Sequence, residues 1–242
     1  MTLLEIKDLR VQFGGLKAVD GMEMTVEKGE IHCLLGPNGA GKSTTLDLIC
    51  GQTKATGGQV LFNGEDIIDI IEYKRARCGI GRKFQVPSVF KELTVRENLR
   101  VARSKQFSLW QNLKNFGNDE SQRLEEIMDL ADLADSRDVL AGNLSHGQTQ
   151  WLDISMLIAQ DSKLILMDEP TAGMTIQETH RTGEIFKALK KDHTLIIVEH
   201  DMHFVRQVAD KVTVMNNGSK LAEGSVEEIE KNEDVKTAYL GH

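Results

Sequence analysis

One octapeptide constrains this chain more than any other segment: Gly36-Pro-Asn-Gly-Ala-Gly-Lys42-Ser43. It fits G-x-x-x-x-G-K-[ST] at every defined position. The run before it, Ile31-His-Cys-Leu-Leu35, reads as a short apolar strand, and the run from Ser43 to Ile49 reads as a helix. A strand that curls through glycines into a helix aims consecutive backbone N–H groups at one point. The helix N-terminus adds partial positive charge there. Such a point is built for phosphate. Gly36, Asn38, Gly39, Ala40, Gly41 and Thr44 are candidates to cradle it. Lys42 is placed to reach the β- and γ-phosphates, and Ser43 to hold Mg²⁺.

Two further segments repeat the design of an apolar strand ending in a polar cluster. They are Leu164-Ile-Leu-Met167 before Asp168-Glu169, and Leu195-Ile-Ile-Val198 before Glu199-His200. Short apolar strands alternating with amphipathic helices signal a parallel sheet. Ligands of such sheets bind beyond the carboxyl ends of the strands, so all three clusters are expected in one crevice. There Asp168 is the expected Mg²⁺ partner, and Glu169 could orient or deprotonate an attacking water. The competing reading is an acidic N-cap ahead of Pro170. His200 could donate to the γ-phosphate. With His203 it mimics a metal pair, but no carboxylate or cysteine at ligand spacing completes one. Gln85, in a polar loop before Pro87, is a candidate sensor of Mg²⁺ and bound phosphate.

A second helix start stands out at Ser145-His-Gly-Gln148. Ser145 and Gln148 fit the S-x-x-Q capping box. That box does not account for Gly147, which weakens a first helical turn but lets a phosphate approach the backbone.

Composition narrows the partners. The 242 residues carry a formal charge of −8 and a pI near 5.4, which argues against nucleic acid as the main ligand. The basic stretch from Lys74-Arg-Ala-Arg77 to Arg82-Lys83 reads mostly as a solvated face, with a phosphate or partner role as the alternative. Cys33, Cys50 and Cys78 are widely spaced and read as reduced. The start, Met1-Thr-Leu-Leu-Glu-Ile-Lys-Asp, holds no apolar signal core, and no apolar run is long enough to cross a bilayer. The first third reads as strands of an antiparallel edge sheet, the middle from about Thr94 to Gln160 as helices, and the last third as strands alternating with helices.

Taken together, these motifs resemble the ATP-binding subunit of ATP-binding-cassette transporters over essentially the whole chain. The resemblance rests on Gly36–Ser43, on Gln85 as the Q-loop glutamine, and on Leu144-Ser-His-Gly-Gln148 as the family signature. Leu164–Glu169 matches the second nucleotide motif and His200 the switch histidine. Phe13, in Phe13-Gly-Gly, matches the aromatic that stacks on adenine. The resemblance implies an α/β fold: a P-loop NTPase (RecA-like) parallel-sheet core with an antiparallel β subdomain and a helical subdomain. Residues 1–242 would form one nucleotide-binding domain, with the core and β edge at about 1–84 and 161–242 and the helical subdomain at about 85–160.

It also implies a Mg²⁺-dependent ATPase with ATP and Mg²⁺ as cofactors, peripheral on the cytoplasmic face of the inner membrane. Its implied partners are a second ATP-binding subunit, transmembrane permease subunits and, indirectly, a solute-binding protein. In this family the signature serves the nucleotide held by the other cassette, so Ser145, Gly147 and Gln148 would complete a partner's site. Glu169, His200 and Lys42 would carry catalysis, with Ser43, Gln85 and Asp168 at the metal. Within the family, Phe13–Asp20 and Ala172-Gly-Met174 are similar to the branched-chain amino acid and urea importer class. Gly79–Phe90, Ser145–Leu152 and Val198–Arg206 are closer to an ATPase subunit of the urea importer. The expected substrate is therefore urea, with branched-chain amino acids as the alternative, and a soluble cassette ATPase of metal-cluster assembly as the reading outside transport. Two positions depart from the family pattern: His146 stands where many members have Gly, and Thr175 where many have Asp.

Overall fold

A computed structural model describes residues 1–84, 87–104 and 118–240. The chain opens with an antiparallel hairpin, β1 (Thr2–Phe13) and β2 (Leu16–Glu27), which turns tightly at Gly14-Gly15. β4 (Gly57–Phe62) and β5 (Glu65–Asp66) complete a four-stranded sheet of order β2-β1-β4-β5. The second sheet has six strands. They are β3 (Ile31–Leu35), β6 (Ile80–Lys83), β7 (Leu164–Asp168), β8 (Thr194–Val198), β9 (Lys211–Asn216) and β10 (Ser219–Gly224). Their order is β10-β9-β3-β8-β7-β6, with only the β10 edge strand antiparallel. The parallel core expected from the alternating strands and helices is thus present.

Every residue of β3, β7 and β8 is buried, and the reason is two-sided. Successive side chains point to opposite faces. Ile165, Met167, Leu195 and Ile197 join a core beneath the helices, whereas Leu164, Leu166, Ile196 and Val198 join a second core beneath the antiparallel sheet. A strand covered on both faces has no polar side to show, which is why these segments read as unbroken apolar runs.

Among the described residues the α-helices are α1 (Lys42–Cys50), α2 (Glu72–Cys78), α3 (Val95–Ser104), α4 (Asn118–Leu130), α5 (His146–Ala159), α6 (Ile176–Leu189), α7 (Met202–Val208), α8 (Val226–Lys231) and α9 (Glu233–Leu240). Helix α5 turns Trp151, Ile154 and Ile158 into the core shared with α3 and α4, and Ser155 is fully buried beside them. Among the described residues no helix is long and apolar enough to cross a membrane.

Two readings are corrected. Pro170 does not begin a helix: α6 starts at Ile176 behind its own N-cap, Thr175, so Asp168-Glu169 is not an acidic cap. The basic stretch is not one solvated face either. Lys74 and Arg77 are exposed, but Arg75 is buried and donates to the carbonyls of Leu48, Ile49, Ile68 and Ile70 at 2.6–2.9 Å. Those of Leu48 and Ile49 belong to the last turn of α1, which has no further helical turn to bond them. Lys83 is 1% exposed, and the Arg82 side chain is also buried.

Candidate functional site

The parallel register brings the three strand ends level, with Leu34 beside Val198 and Val198 beside Asp168. The chain between β3 and α1 then curls past β9 and β2. Gly36 (φ 147°) and Gly41 (φ 101°) allow this: a Cβ would stand 2.3 Å from the Met215 carbonyl at the first and 2.4 Å from the Ala18 carbonyl at the second. Both contacts are with backbone, so neither neighbour can yield.

Helix α1 begins at Gly41 with no side-chain cap, in contrast to α5, α6 and α8, each of which starts with a complete capping box. Its first N–H groups thus face a cavity of about 550 Å³ walled by Phe13, Leu16, Lys17, Ala18, Asn38–Thr44, Glu169, Val198 and Asn217. Uncapped donors and a helix dipole make that cavity anion-seeking. The Lys42 ammonium lies inside the curl, donating to the carbonyls of Gly36 (2.8 Å) and Pro37 (3.0 Å). Burial lowers its pKa, while Glu169 and Asp168 pull it back up. At the rim, Phe13 is 52% exposed for an aromatic at a hairpin turn, so its ring is free to stack.

Asp168 and Glu169 point to different places. The Asp168 carboxylate is buried and makes no hydrogen bond among the described residues; its ion-pair partner is Arg82 Nη2 at 3.6 Å. Glu169 leaves the strand in a left-handed backbone conformation (φ 46°), which costs a non-glycine residue roughly 1–3 kcal/mol. It is held there by its N–H to the Val198 carbonyl (2.9 Å) and by the Ala172 N–H to its own carbonyl (3.1 Å). The twist turns the side chain into the cavity wall. His200 is 67% exposed, with Nδ1 3.6 Å from Glu169 Oε1. Glu199, almost fully buried, cross-links the two loops: it accepts from Thr171 Oγ1 (2.6 Å) and from the His200 N–H (3.1 Å).

Ser145, Gly147 and Gln148 do not line this cavity. Ser145 caps α5, with the Gln148 N–H on Oγ at 3.2 Å and the reciprocal Gln148 Oε1 contact at 3.1 Å. At Gly147 a Cβ would stand 2.4 Å from Glu178 Oε1, so the Glu178 side chain would have to shift to admit one. His146, the departure from the signature pattern, lies 3.0 Å from the Ala172 carbonyl through Nε2. The signature turn and the loop after Glu169 are therefore joined within one chain. Gln85 lies outside the described residues.

Comparison with known proteins shows the family of the chain. A family model described as ABC transporter matches residues 19–172. The chain belongs to the ABC transporter family. Over 99% of its length it is 35% identical to the high-affinity branched-chain amino acid transport ATP-binding protein BraF of Pseudomonas aeruginosa, covering 98% of that protein. It is 34% identical to LivG of Escherichia coli at the same coverage. It is 37% identical to a probable LivG of Archaeoglobus fulgidus, covering 100% of this chain and 96% of the relative. A solved ATP-binding cassette of an ABC transporter in its ADP conformation superposes with a TM-score of 0.87 at 32% identity, covering all of both chains. A nucleotide-free cassette does so with a TM-score of 0.85 at 32% identity, again covering all of both chains. This cassette is accordingly an ATPase subunit whose hydrolysis is coupled to transport.

Some residues of the cassette's site are not evident from its sequence. Lys17, Ala18 and Asn217 wall the cavity from β2 and from the β9–β10 turn. Of these only Asn217-Gly218, a hairpin-turn dipeptide after an apolar run, leaves a readable signal. Glu199 was visible beside His200, but its bridging role needs the two loops in space.

Proposed function

We propose that this cassette is the ATP-hydrolysing subunit of an importer for branched-chain amino acids, working at the cytoplasmic face of the membrane against permease subunits and a second cassette. The observation that carries the substrate class is near-full-length likeness to several ATP-binding proteins of branched-chain amino acid transport, from bacteria and an archaeon. Urea, the substrate expected from the motifs around Gly79–Phe90 and Ser145–Leu152, gains no support from these relatives. The amino acid alternative fits better.

In this reading the uncapped start of α1 and the loop Gly36–Thr44 bind the phosphates of ATP, with Lys42 leaving the loop carbonyls for the β- and γ-phosphates. Phe13 stacks on the base. Ser43 and Asp168 fit Mg²⁺: a hydroxyl at the helix start and a buried carboxylate with no hydrogen bond among the described residues are oxygen donors suited to a hard cation. When bound, the metal would neutralise charge on the β- and γ-phosphates. Glu169, turned into the cavity wall, orients the attacking water for in-line displacement. His200 approaches from the Glu169 side and donates to the γ-phosphate. Ser145, Gly147 and Gln148, which do not line this cavity, serve the nucleotide of the second cassette, and Gln85 senses the metal.

The test is uptake by the complete transporter in proteoliposomes, with leucine and urea offered separately. ATP-dependent leucine accumulation abolished by Glu169→Gln is the expected result. Uptake of urea without leucine would overturn the substrate class.

A further inference from the structure

Arg82 is a buried cation that none of the roles above uses. It sits on β6, next to β7, and its side chain is 8% exposed. Nη2 contacts Asp47 Oδ1 at 2.9 Å and Asp168 Oδ2 at 3.6 Å. Nε and Nη1 are buried with no hydrogen-bond partner among the described residues, although the guanidinium lies 5.6 Å from the Phe84 ring centroid. A guanidinium matched to one carboxylate engages it with two N–H groups at about 2.7–2.9 Å. Arg82 does not. A single nitrogen spans two acids, close to one and loose on the other, with much of its donor fork unspent.

The two acids differ in consequence. Asp47 is on α1, one turn beyond Ser43, and is partly exposed. Burial raises its pKa and the Arg82 charge draws it back down. Asp168 is buried at the end of β7. A buried carboxylate needs a positive partner, and a metal and an arginine would repel one another across it.

We infer that Arg82 is a counter-cation shared by Asp47 and Asp168 and withdraws wholly to Asp47 when a divalent cation reaches Asp168, so that metal loading is an exchange of cations. Arg82 is a positioning residue that acts on the metal through Asp168, and Asp47 is the acceptor that makes the exchange favourable. The inference rests on Asp168 being the metal ligand.

The experiment is a MgCl₂ titration of binding of a fluorescent ATP analogue to the full-length cassette, reading the half-saturating Mg²⁺ concentration rather than turnover. Arg82→Met should lower that concentration by about three- to tenfold, since a competing charge is gone. Asp47→Asn should raise it by a similar factor, since the displaced cation has nowhere to go. In the double variant Arg82→Met/Asp47→Asn the Asp47 effect should disappear, because no arginine remains to be received. A general field effect of Asp47 would persist in that background and would sink the exchange. So would an unchanged or raised Mg²⁺ requirement in Arg82→Met. Should that variant fail to fold, Asp47→Asn alone decides: an unchanged requirement overturns the inference. Asp168→Asn separates the underlying reading, because a Mg²⁺ dependence that survives that change removes Asp168 as metal ligand altogether.

Discussion

Glu169 shows how one backbone angle sends two neighbouring acids to different places. Asp168 finishes β7 in register and stays buried against Arg82. One residue later the left-handed turn delivers a carboxylate to the cavity. Glu169→Gln keeps the shape and the hydrogen bonds to the backbone but loses the base. It should bind ATP with unchanged affinity and hydrolyse it about 10²–10⁴ times more slowly, read by nucleotide binding alongside phosphate release. Lys42→Ala removes the ammonium now parked on two carbonyls and should weaken ATP binding at least about tenfold in equilibrium fluorescence titration. That Lys42, Ser43 and Glu169 stand at the cavity was legible because each lies just beyond a buried strand; Asp168 ends its strand instead and is buried against Arg82. The setting of Arg82 was not legible. In a run of cations the letters are the same whether a side chain faces water or two carboxylates, and only the pairing of β6 with β7 separates Lys74 from Arg82.

Helix α5 and helix α6 meet through specific contacts rather than general packing. Trp151 Nε1 donates to Thr182 Oγ1 at 2.9 Å in a buried setting, and Thr182 donates in turn to the Glu178 carbonyl at 2.8 Å. Glu178 fills the space above Gly147, and His146 reaches the Ala172 carbonyl. Thr175, the second departure from the family pattern, caps α6 with Glu178 as its box partner, so both departures belong to one contact region. Trp151→Phe keeps much of the apolar volume but deletes the indole N–H. It should cost about 1–3 kcal/mol, seen as a lower denaturant midpoint with unchanged slope. The capping boxes at Ser145 and Thr175 could be read from four-residue patterns. The pairing of the two helix starts could not, since it joins residues about thirty positions apart through side chains with several other plausible partners.

At the scale of the molecule, the six-stranded sheet is a shared wall between two apolar cores, and each of its central strands belongs to both. Ile165 and Leu166 are sequence neighbours with their side chains in different cores. Truncating either to Ala should cost about 2–5 kcal/mol. If the wall makes one cooperative unit, both variants should unfold in a single transition by circular dichroism and by tryptophan fluorescence. Separate transitions would mean that the cores melt independently. The parallel sheet itself was predictable from apolar runs of strand length alternating with helices. The assignment of residues to cores was not, because both faces of such a strand are equally apolar. A different consequence follows from the missing cap on α1. Other helices, α5, α6, α7 and α8 among them, carry their own hydrogen-bond acceptors and are finished when the chain folds. This one is finished only when an anion arrives, so part of the native stability is supplied from outside the chain. The melting temperature of the cassette should therefore rise with the logarithm of free nucleotide above its dissociation constant, making thermal stability a gauge of the energy state of the solution around it.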